Sequence, residues 1–296
     1  MILITGGTGF VGSSIIKKVL DKGLKIKCLV RDPGKAKSAL GELGEKVGFA
    51  QGDILNSKSL EQAMEGVNAV IHLVGIIVET KGASFEGMHY HGTVNIVEAA
   101  KKAGIKKYLH MSALGTRPDA KSRYHQTKWK AEEYVRSSGL SWTIFRPSII
   151  FGPKDKFLNM FLNMINLSPV IPIIGRGKGM LQPVWVEDVA ECFIRALNKD
   201  STIGKIFELG GPDKFNIEGL IDLILKIKKK TRCKIHLPIS FMKLNAALME
   251  SFLARPPVTL DQLTMLEEEN TCDIKEIKKE FGIELKRVED YINEYL

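Results

Sequence analysis

The sequence predicts an α/β fold in which helices cover both faces of a parallel sheet, and three observations carry that prediction. Strand-like and helical apolar patterns alternate from the first residue to Phe145. The opening strand turns through Gly6, Gly9 and Gly12, spaced G-x-x-G-x-x-G, directly into a helical pattern. After Arg146 the alternation gives way to mostly helical text, as a smaller appended lobe would read. Repeated βα units of this length make right-handed crossovers and bury the sheet on both faces. The expected architecture is therefore a Rossmann-type doubly wound parallel sheet with a small, mostly helical, discontinuous C-terminal substrate lobe. Its boundaries read as 1–153 with about 178–204 for the dinucleotide-binding domain, and 154–177 with 205–296 for the substrate or cap lobe.

Each element has its own signal. Ile2 to Ile4 form a short apolar run, and Val11, Ile15, Ile16, Val19 and Leu20 then recur at helical intervals until Gly23 supplies a stop. Strands are expected over Leu24 to Val30, Val47 to Ile54, Ala69 to Val74, Tyr108 to Ala113 and Trp142 to Phe145. Between them lie a polar helix through Leu43 and helices over Ser59 to Glu65, Gly92 to Gly104 and Ser122 to Ser138. Phe157 to Ile174 is rich in Phe, Leu, Met, Ile and Pro; a strand-helix unit returns over Val184 to Leu197, then a strand over Lys205 to Leu209. Helical patterns follow over Ile217 to Lys230, Phe241 to Arg255, Leu260 to Glu268, Ile274 to Phe281 and Val288 to Tyr295.

Composition narrows the function classes. A chain of 296 residues with 44% hydrophobic and 26% charged residues suits one large domain or a domain with an appendage. Cys28, Cys192, Cys233 and Cys272 are scattered without a C-x-x-C pair, and no signal peptide is evident, so a reducing cytoplasm and no metal site are expected. No apolar run reaches the ~18 residues of a membrane span. The net charge of +9 has one dense source, Lys226 to Lys234, with no aromatic residues interleaved as a nucleic-acid stacking platform needs. Nucleic acid is therefore not expected, whereas attraction to an anionic lipid surface stays open, as does the choice between monomer and dimer.

The residues that carry chemistry cluster at strand ends, where ligands lie in such sheets. Glycines after the first strand let a pyrophosphate approach the main chain, and the exposed N–H groups of the helix start hold the anion. Arg31, at the end of the second strand, suits the 2′-phosphate of NADP(H) better than the 2′-hydroxyl of NAD(H), although Asp32 stands beside it. Asp53 either accepts from an adenine amino group or starts the next turn. Gly75 lets the chain pass close to a cofactor ribose. His72, inside an apolar strand, reads as a hydrogen-bonded core residue, and His89 and His91 flank Tyr90 near a helix start without the further ligands a metal needs. Ser112 ends the fifth strand, and Tyr124 and Lys128 share one face of the next helix. A tyrosine ionises near about pH 10; the ammonium of Lys128, with the positive nicotinamide ring, is expected to favour the phenolate and lower that value. Tyr124 then acts as acid/base on a substrate oxygen that the Ser112 hydroxyl also holds.

These motifs resemble the short-chain dehydrogenase/reductase superfamily in its extended and atypical branches, over nearly the whole chain. Gly6 to Gly12 look like its cofactor loop, Gly52-Asp53 its adenine contact, and Ser112, Tyr124 and Lys128 its catalytic triad. Arg146 to Pro153 is similar to the segment bordering the nicotinamide, and Val184 to Ala190 to a later extended-family motif. The resemblance implies a cofactor-binding set of Gly6, Thr8, Gly9, Phe10, Val11, Gly12, Arg31, Asp53, Ile54, Leu73, Val74, Gly75, Met111, Tyr124, Lys128, Pro147, Ser148 and Ile150.

Met111 to Gly115, Glu208 to Pro212 and Leu260-Asp261-Gln262-Leu263 are further similar to NAD-dependent epimerase/dehydratase-like bacterial relatives of the 39 kDa accessory subunit of respiratory complex I. That branch implies two alternatives: an oxidoreductase or epimerase/dehydratase with an unidentified small-molecule substrate, or a non-catalytic NADP(H)-holding protein in contact with a respiratory assembly at a membrane. A nucleotide-sugar epimerase/dehydratase is a third reading, weakened because His89 stands where many such enzymes have asparagine. The apolar residues of 157–165, and Met242, Leu244, Leu248, Met249, Phe252 and Leu253, either line a pocket for a hydrophobic substrate such as a quinone, dock on a membrane or partner, or pack as ordinary helices; packing is the favoured expectation.

Overall fold

Short apolar runs buried on both faces become the central strands, and the structure, a computed structural model, describes residues 1–175, 177, 179–253 and 256–295. The first half contains β1 (Ile2–Thr5), α1 (Phe10–Asp21), β2 (Ile26–Val30), α2 (Pro33–Leu40), β3 (Gly48–Gln51), α3 (Ser57–Ala63), β4 (Ala69–His72), α4 (Gly92–Lys102), β5 (Lys107–Met111), α5 (Arg123–Arg136) and β6 (Ser141–Pro147). The second half contains β7 (Ile150–Phe151), α6 (Phe157–Leu167), β8 (Val170–Ile174), β9 (Met180–Leu181), β10 (Val184–Trp185), α7 (Val186–Leu197), β11 (Lys205–Leu209), β12 (Phe215–Asn216), α8 (Ile217–Ile227), β13 (Cys233–Leu237), α9 (Ile239–Phe252), α10 (Leu260–Leu266), α11 (Lys275–Phe281) and α12 (Val288–Tyr295).

Seven strands form one parallel sheet in the order β11-β6-β5-β4-β1-β2-β3. Every residue of β1 and β4 is buried. The chain leaves β1 toward β2 on one side and later returns to place β4 on the other, so the strand order reverses between β1 and β4. A crevice opens there beyond the carboxyl ends of both strands.

One boundary differs from the sequence reading. Residues 205–209, expected in the lobe, pair with 143–147 and complete the sheet as β11. The reason is packing: Phe207 stacks on Phe145 and meets Phe281 of α11 edge-on with ring centres 4.9 Å apart, while Phe145 lies 4.4 Å from Phe193 of α7. This aromatic cluster holds α7 and α11 against the sheet.

Three short pairings, β7 with β10, β9 with β12 and β8 with β13, lie outside the main sheet. Within the basic stretch, Lys234 pairs with Glu218 and Asp222, and Lys230 donates to Asn166. The two apolar helices diverge. In α6, Leu158, Phe161, Leu162 and Ile165 are buried, as packing requires. In α9 only Ala246 is buried; Phe241, Leu244, Leu248 and Phe252 are exposed, Phe252 to 83%. The packing expectation holds only in part for α9: Met242 and Met249 are half-buried and α10 lies against the helix, but no element covers that stripe among the described residues. No helix among those residues is long and apolar enough to cross a membrane.

Candidate active site

The glycine loop is packed so closely that it depends on glycine at two positions. Gly6 adopts φ +75°, and a Cβ there would lie 3.2 Å from Leu73 C and Val74 N, so the loop runs directly against the end of β4. At Gly12 a Cβ would reach 2.6 Å from Gly7 Cα and closer still to the Gly6 carbonyl oxygen, so only glycine lets α1 start this near the turn. Gly9 caps α1 without a side-chain hydrogen bond, the first turn carries no acid, and Thr8 and Gly9 are exposed. The Gly9 N–H closes the turn on the Gly6 carbonyl at 3.0 Å, and the positive end of the helix dipole lies at this exposed turn, the kind of place where anions bind. Two side chains of the expected set pack into the protein: Val11 is buried in the core, and the Phe10 ring lies against Gly152.

Beyond the end of β2, Arg31 is exposed and its guanidinium makes no hydrogen bond or ion pair among the described residues. Asp32 is occupied otherwise. Its Oδ1 accepts from the Lys35 N–H at 3.0 Å as the N-cap of α2, which holds its carboxyl below the usual range. Asp53 is half-buried and its Oδ1 accepts from Leu55 N at 2.9 Å, so the carboxylate starts the turn before α3. Ile54 is buried against Gly92 at the start of α4.

The tyrosine end is assembled from α5. Ser122 caps this helix, accepting from His125 N. Lys128 is buried and donates from Nζ to the Met111 carbonyl at 2.9 Å, and a Cβ on Gly75 would come within 3.2 Å of that Nζ. One ammonium therefore joins the end of β5 to α5 and lies beside Gly75, in the stretch after β4. Ser112, just past β5, is buried, and its hydroxyl donates to Thr116 Oγ1 at 3.4 Å, the outer limit of a hydrogen bond. Tyr124 is half-buried; its ring lies edge-on to His89 at 5.2 Å and to Phe85 at 5.8 Å. No hydrogen bond links Ser112, Tyr124 and Lys128 directly among the described residues. A buried ion pair fixes the helix on the sheet: Arg146 of β6 grips Glu132 of α5 with Nε to Oε1 at 2.9 Å and Nη2 to Oε2 at 2.5 Å.

The expected electrostatics of the pair are reversed in the protein alone. Burial, with the negative charge of Asp261, pushes the Tyr124 phenol up to about 12, and burial lowers Lys128 to about 8. Desolvation and the Asp261 charge act in the same direction, so the protein by itself keeps the phenol protonated.

Residues remote in sequence complete the arrangement. His72 is the core residue expected, sharing hydrogen bonds with Thr5 Oγ1 at 2.7 Å and Thr93 Oγ1 at 3.2 Å. His89 plays a part that its sequence context hid. It lies buried in a π-helical turn (Glu86–His91), shares a hydrogen bond with Thr127 Oγ1 at 2.9 Å, and meets the Ile76 main chain through Nε2. Burial, with the charge of Lys128, drives it down to about 2, so its ring is neutral. From the C-terminal segment, Asp261 accepts from the N–H groups of Arg123 and Tyr124 at 2.7 and 3.1 Å. Glu268 holds Arg117 bidentately, and Asn270 engages the Ser148 hydroxyl and the Leu114 carbonyl. The Ser148 hydroxyl, in the cofactor set expected from the resemblance, donates to Asn270 in the protein alone. Pro147 is buried at the end of β6, and Ile150 pairs with Val184. No local motif marks Glu268 or Asn270, and Asp261 lies in the Leu260–Leu263 motif of the resemblance, which gave it no role.

A cleft of about 620 Å³ borders this end, lined by Glu79, Phe85, Arg123, Phe252, Leu260 and Asp261 among others. Two of its walls, Phe85 and Asp261, touch Tyr124.

Residues 2–210 match the model of the NAD dependent epimerase/dehydratase family. The chain belongs to that family. Its fold is the family's NAD(P)-binding fold. A mitochondrial NADH dehydrogenase [ubiquinone] 1 alpha subcomplex subunit 9 from Arabidopsis thaliana is 31% identical over 87% of this chain and 65% of its own length. The photosystem II assembly factor Ycf39 of Cyanophora paradoxa is 27% identical over 82% of this chain and 73% of that protein. An Escherichia coli NADPH-dependent quinone oxidoreductase solved with NADPH superposes with a TM-score of 0.78 at 21% identity, covering 99% and 98% of the two chains, and so shares the fold. The chain spans about two thirds of the length of the Arabidopsis relative.

Proposed function

We propose that this protein is an NADP(H)-dependent oxidoreductase or epimerase/dehydratase in which Tyr124 exchanges a proton with a substrate oxygen. The observation that carries the reading is the Lys128 ammonium, which ties Met111, Gly75 and the Tyr124 helix to the crevice between β1 and β4. Gly6 to Gly12 hold the pyrophosphate. Arg31 takes the 2′-phosphate, a role supported by its unpaired guanidinium and by the capping duty of Asp32. The dinucleotide, when bound, supplies hydride exchange at its nicotinamide. Around it Tyr124 donates or accepts the proton, Lys128 stabilises the phenolate that forms, and Ser112 gives up its long bond to Thr116 to hold the substrate oxygen. The protonated resting phenol suits it to act first as an acid, in the direction of carbonyl reduction. Phe85, Phe252 and Leu260 favour a substrate with an apolar body in the adjoining cleft.

Replacing Tyr124 with Phe tests this. Oxidation of NADPH by carbonyl or quinone compounds should fall about 10²–10⁴-fold with NADPH affinity nearly unchanged; unchanged turnover removes Tyr124 from the reaction. A second reading is supported by the exposed stripe of α9 and by relatives named as a complex I subunit and a photosystem assembly factor. In it the protein holds NADP(H) without turnover while α9 docks on a protein of a membrane-bound electron-transfer assembly. Full complementation in cells by the Tyr124→Phe variant, with cofactor still co-purifying, favours that reading over the first.

A further inference from the structure

The helix that carries Tyr124 begins with a cap it does not own. Ser122 covers the His125 N–H from within α5, but the donors of the first two helical residues, Arg123 and Tyr124, both go to the carboxylate of Asp261, 137 residues on from Tyr124. A helix start leaves such N–H groups unpaired, and a carboxylate there gains from the hydrogen bonds and from the helix dipole together. Asp261 itself opens α10, whose capping box between Thr259 and Gln262 fixes its direction. Farther along, Glu268 grips Arg117 and stands 3.7 Å from His125 Nδ1, and Asn270 reaches Leu114 and Ser148. Within twelve residues the C-terminal segment thus touches the first turn of α5, the 114–117 loop and the end of β6.

We propose that residues 259–270 are a strap that sets the position of Tyr124, with Asp261 as its positioning residue. The proposal rests on the reading of Tyr124 as the proton-exchanging group. The charged and titratable neighbours of Tyr124 are Asp261 from α10, His89 from the π-helical turn and His125 from α5, while Lys128, one turn along α5, sends its ammonium to the Met111 carbonyl. His89 is neutral, so Asp261 is the nearby negative charge that opposes phenolate formation. Seating of the strap therefore favours the protonated phenol, and release of the strap favours the phenolate while freeing the first turn of the helix.

Asp261→Asn and Asp261→Ala test this in the full chain, the first keeping one acceptor oxygen without the charge. Amide exchange at Arg123 and Tyr124 should speed up about tenfold or more in Asp261→Ala, as loss of charge-assisted hydrogen bonds requires. The Tyr124 titration, read as the absorbance difference against the matching Tyr124→Phe protein, should move to lower pH in both variants. Unchanged exchange at the two amides, or a titration that stays put or moves upward in the folded Asp261→Asn protein, overturns the proposal. Neither readout needs turnover. Loss of the Tyr124 reaction alone would leave both shifts intact, and loss of both shifts would leave a Tyr124-dependent reaction intact.

Discussion

The glycine loop after β1 and the helix bearing Tyr124 face the same crevice but are held by different means. The loop is fixed by contacts within seven residues and by the end of β4: Gly12 against Gly6 and Gly7, Gly6 against Leu73 and Val74. The helix is fixed from outside itself, by Glu132 on Arg146, Thr127 on His89, Lys128 on Met111 and the capping carboxylate of Asp261. A site half built from contiguous sequence and half from distant partners tolerates change differently on its two sides. The loop responds to volume, the helix to charge and hydrogen bonding.

The largest effect expected from that contrast is at Gly12. A Gly12→Val side chain has no space between α1 and the loop, so cofactor binding should be lost, accompanied by a lower melting temperature; calorimetric titration with NADPH that still gives saturable binding would break the steric account of the loop.

The next effect is on the helix side and depends on pH. His72 and His89 are held down to about 3 and about 2, below the ordinary ~6.5 of an unfolded histidine. Between those values the unfolded chain binds more protons, so stability rises with pH and is lost as pH falls below about 6.5, by up to about 1.4 kcal/mol per pH unit for each ring. His89→Gln should remove one such contribution from the slope of unfolding free energy between about pH 6.5 and pH 5, and denaturant titrations at several pH values measure it. An unaltered slope would show that His89 is not buried neutral.

The smallest effect is at Arg31. Loss of a charge-assisted contact to phosphate in Arg31→Ala should weaken NADPH about 10- to 100-fold and leave NADH nearly unchanged. Equal weakening of both would place Arg31 outside the 2′ site.

The same contrast explains what could be read from the sequence. The seven parallel strands, the glycine loop and the Tyr124–Lys128 spacing are local patterns of apolar period or fixed offset, and they are visible as such. The strand at 205–209 was visible as a strand, but its membership of the sheet depends on Phe207 finding Phe145 and Phe281, which no local pattern encodes. Asp261 stood in a motif of the resemblance but without a role, and Glu268 and Asn270 are ordinary polar residues until folding brings all three to residues 114–124 and 148. His89 looked like a stray histidine, because its partners Ile76 and Thr127 lie 13 and 38 residues away. For α9, the apolar stripe was legible and its exposure was not, since whether a helical stripe is covered is decided by other elements.

Calorimetric titration of the purified protein with NADPH and, separately, NADH tests the central claim most directly. A dinucleotide lying between β1 and β4 with its nicotinamide toward Tyr124 predicts saturable one-to-one binding with NADPH the tighter ligand. No measurable binding of either nucleotide would contradict it.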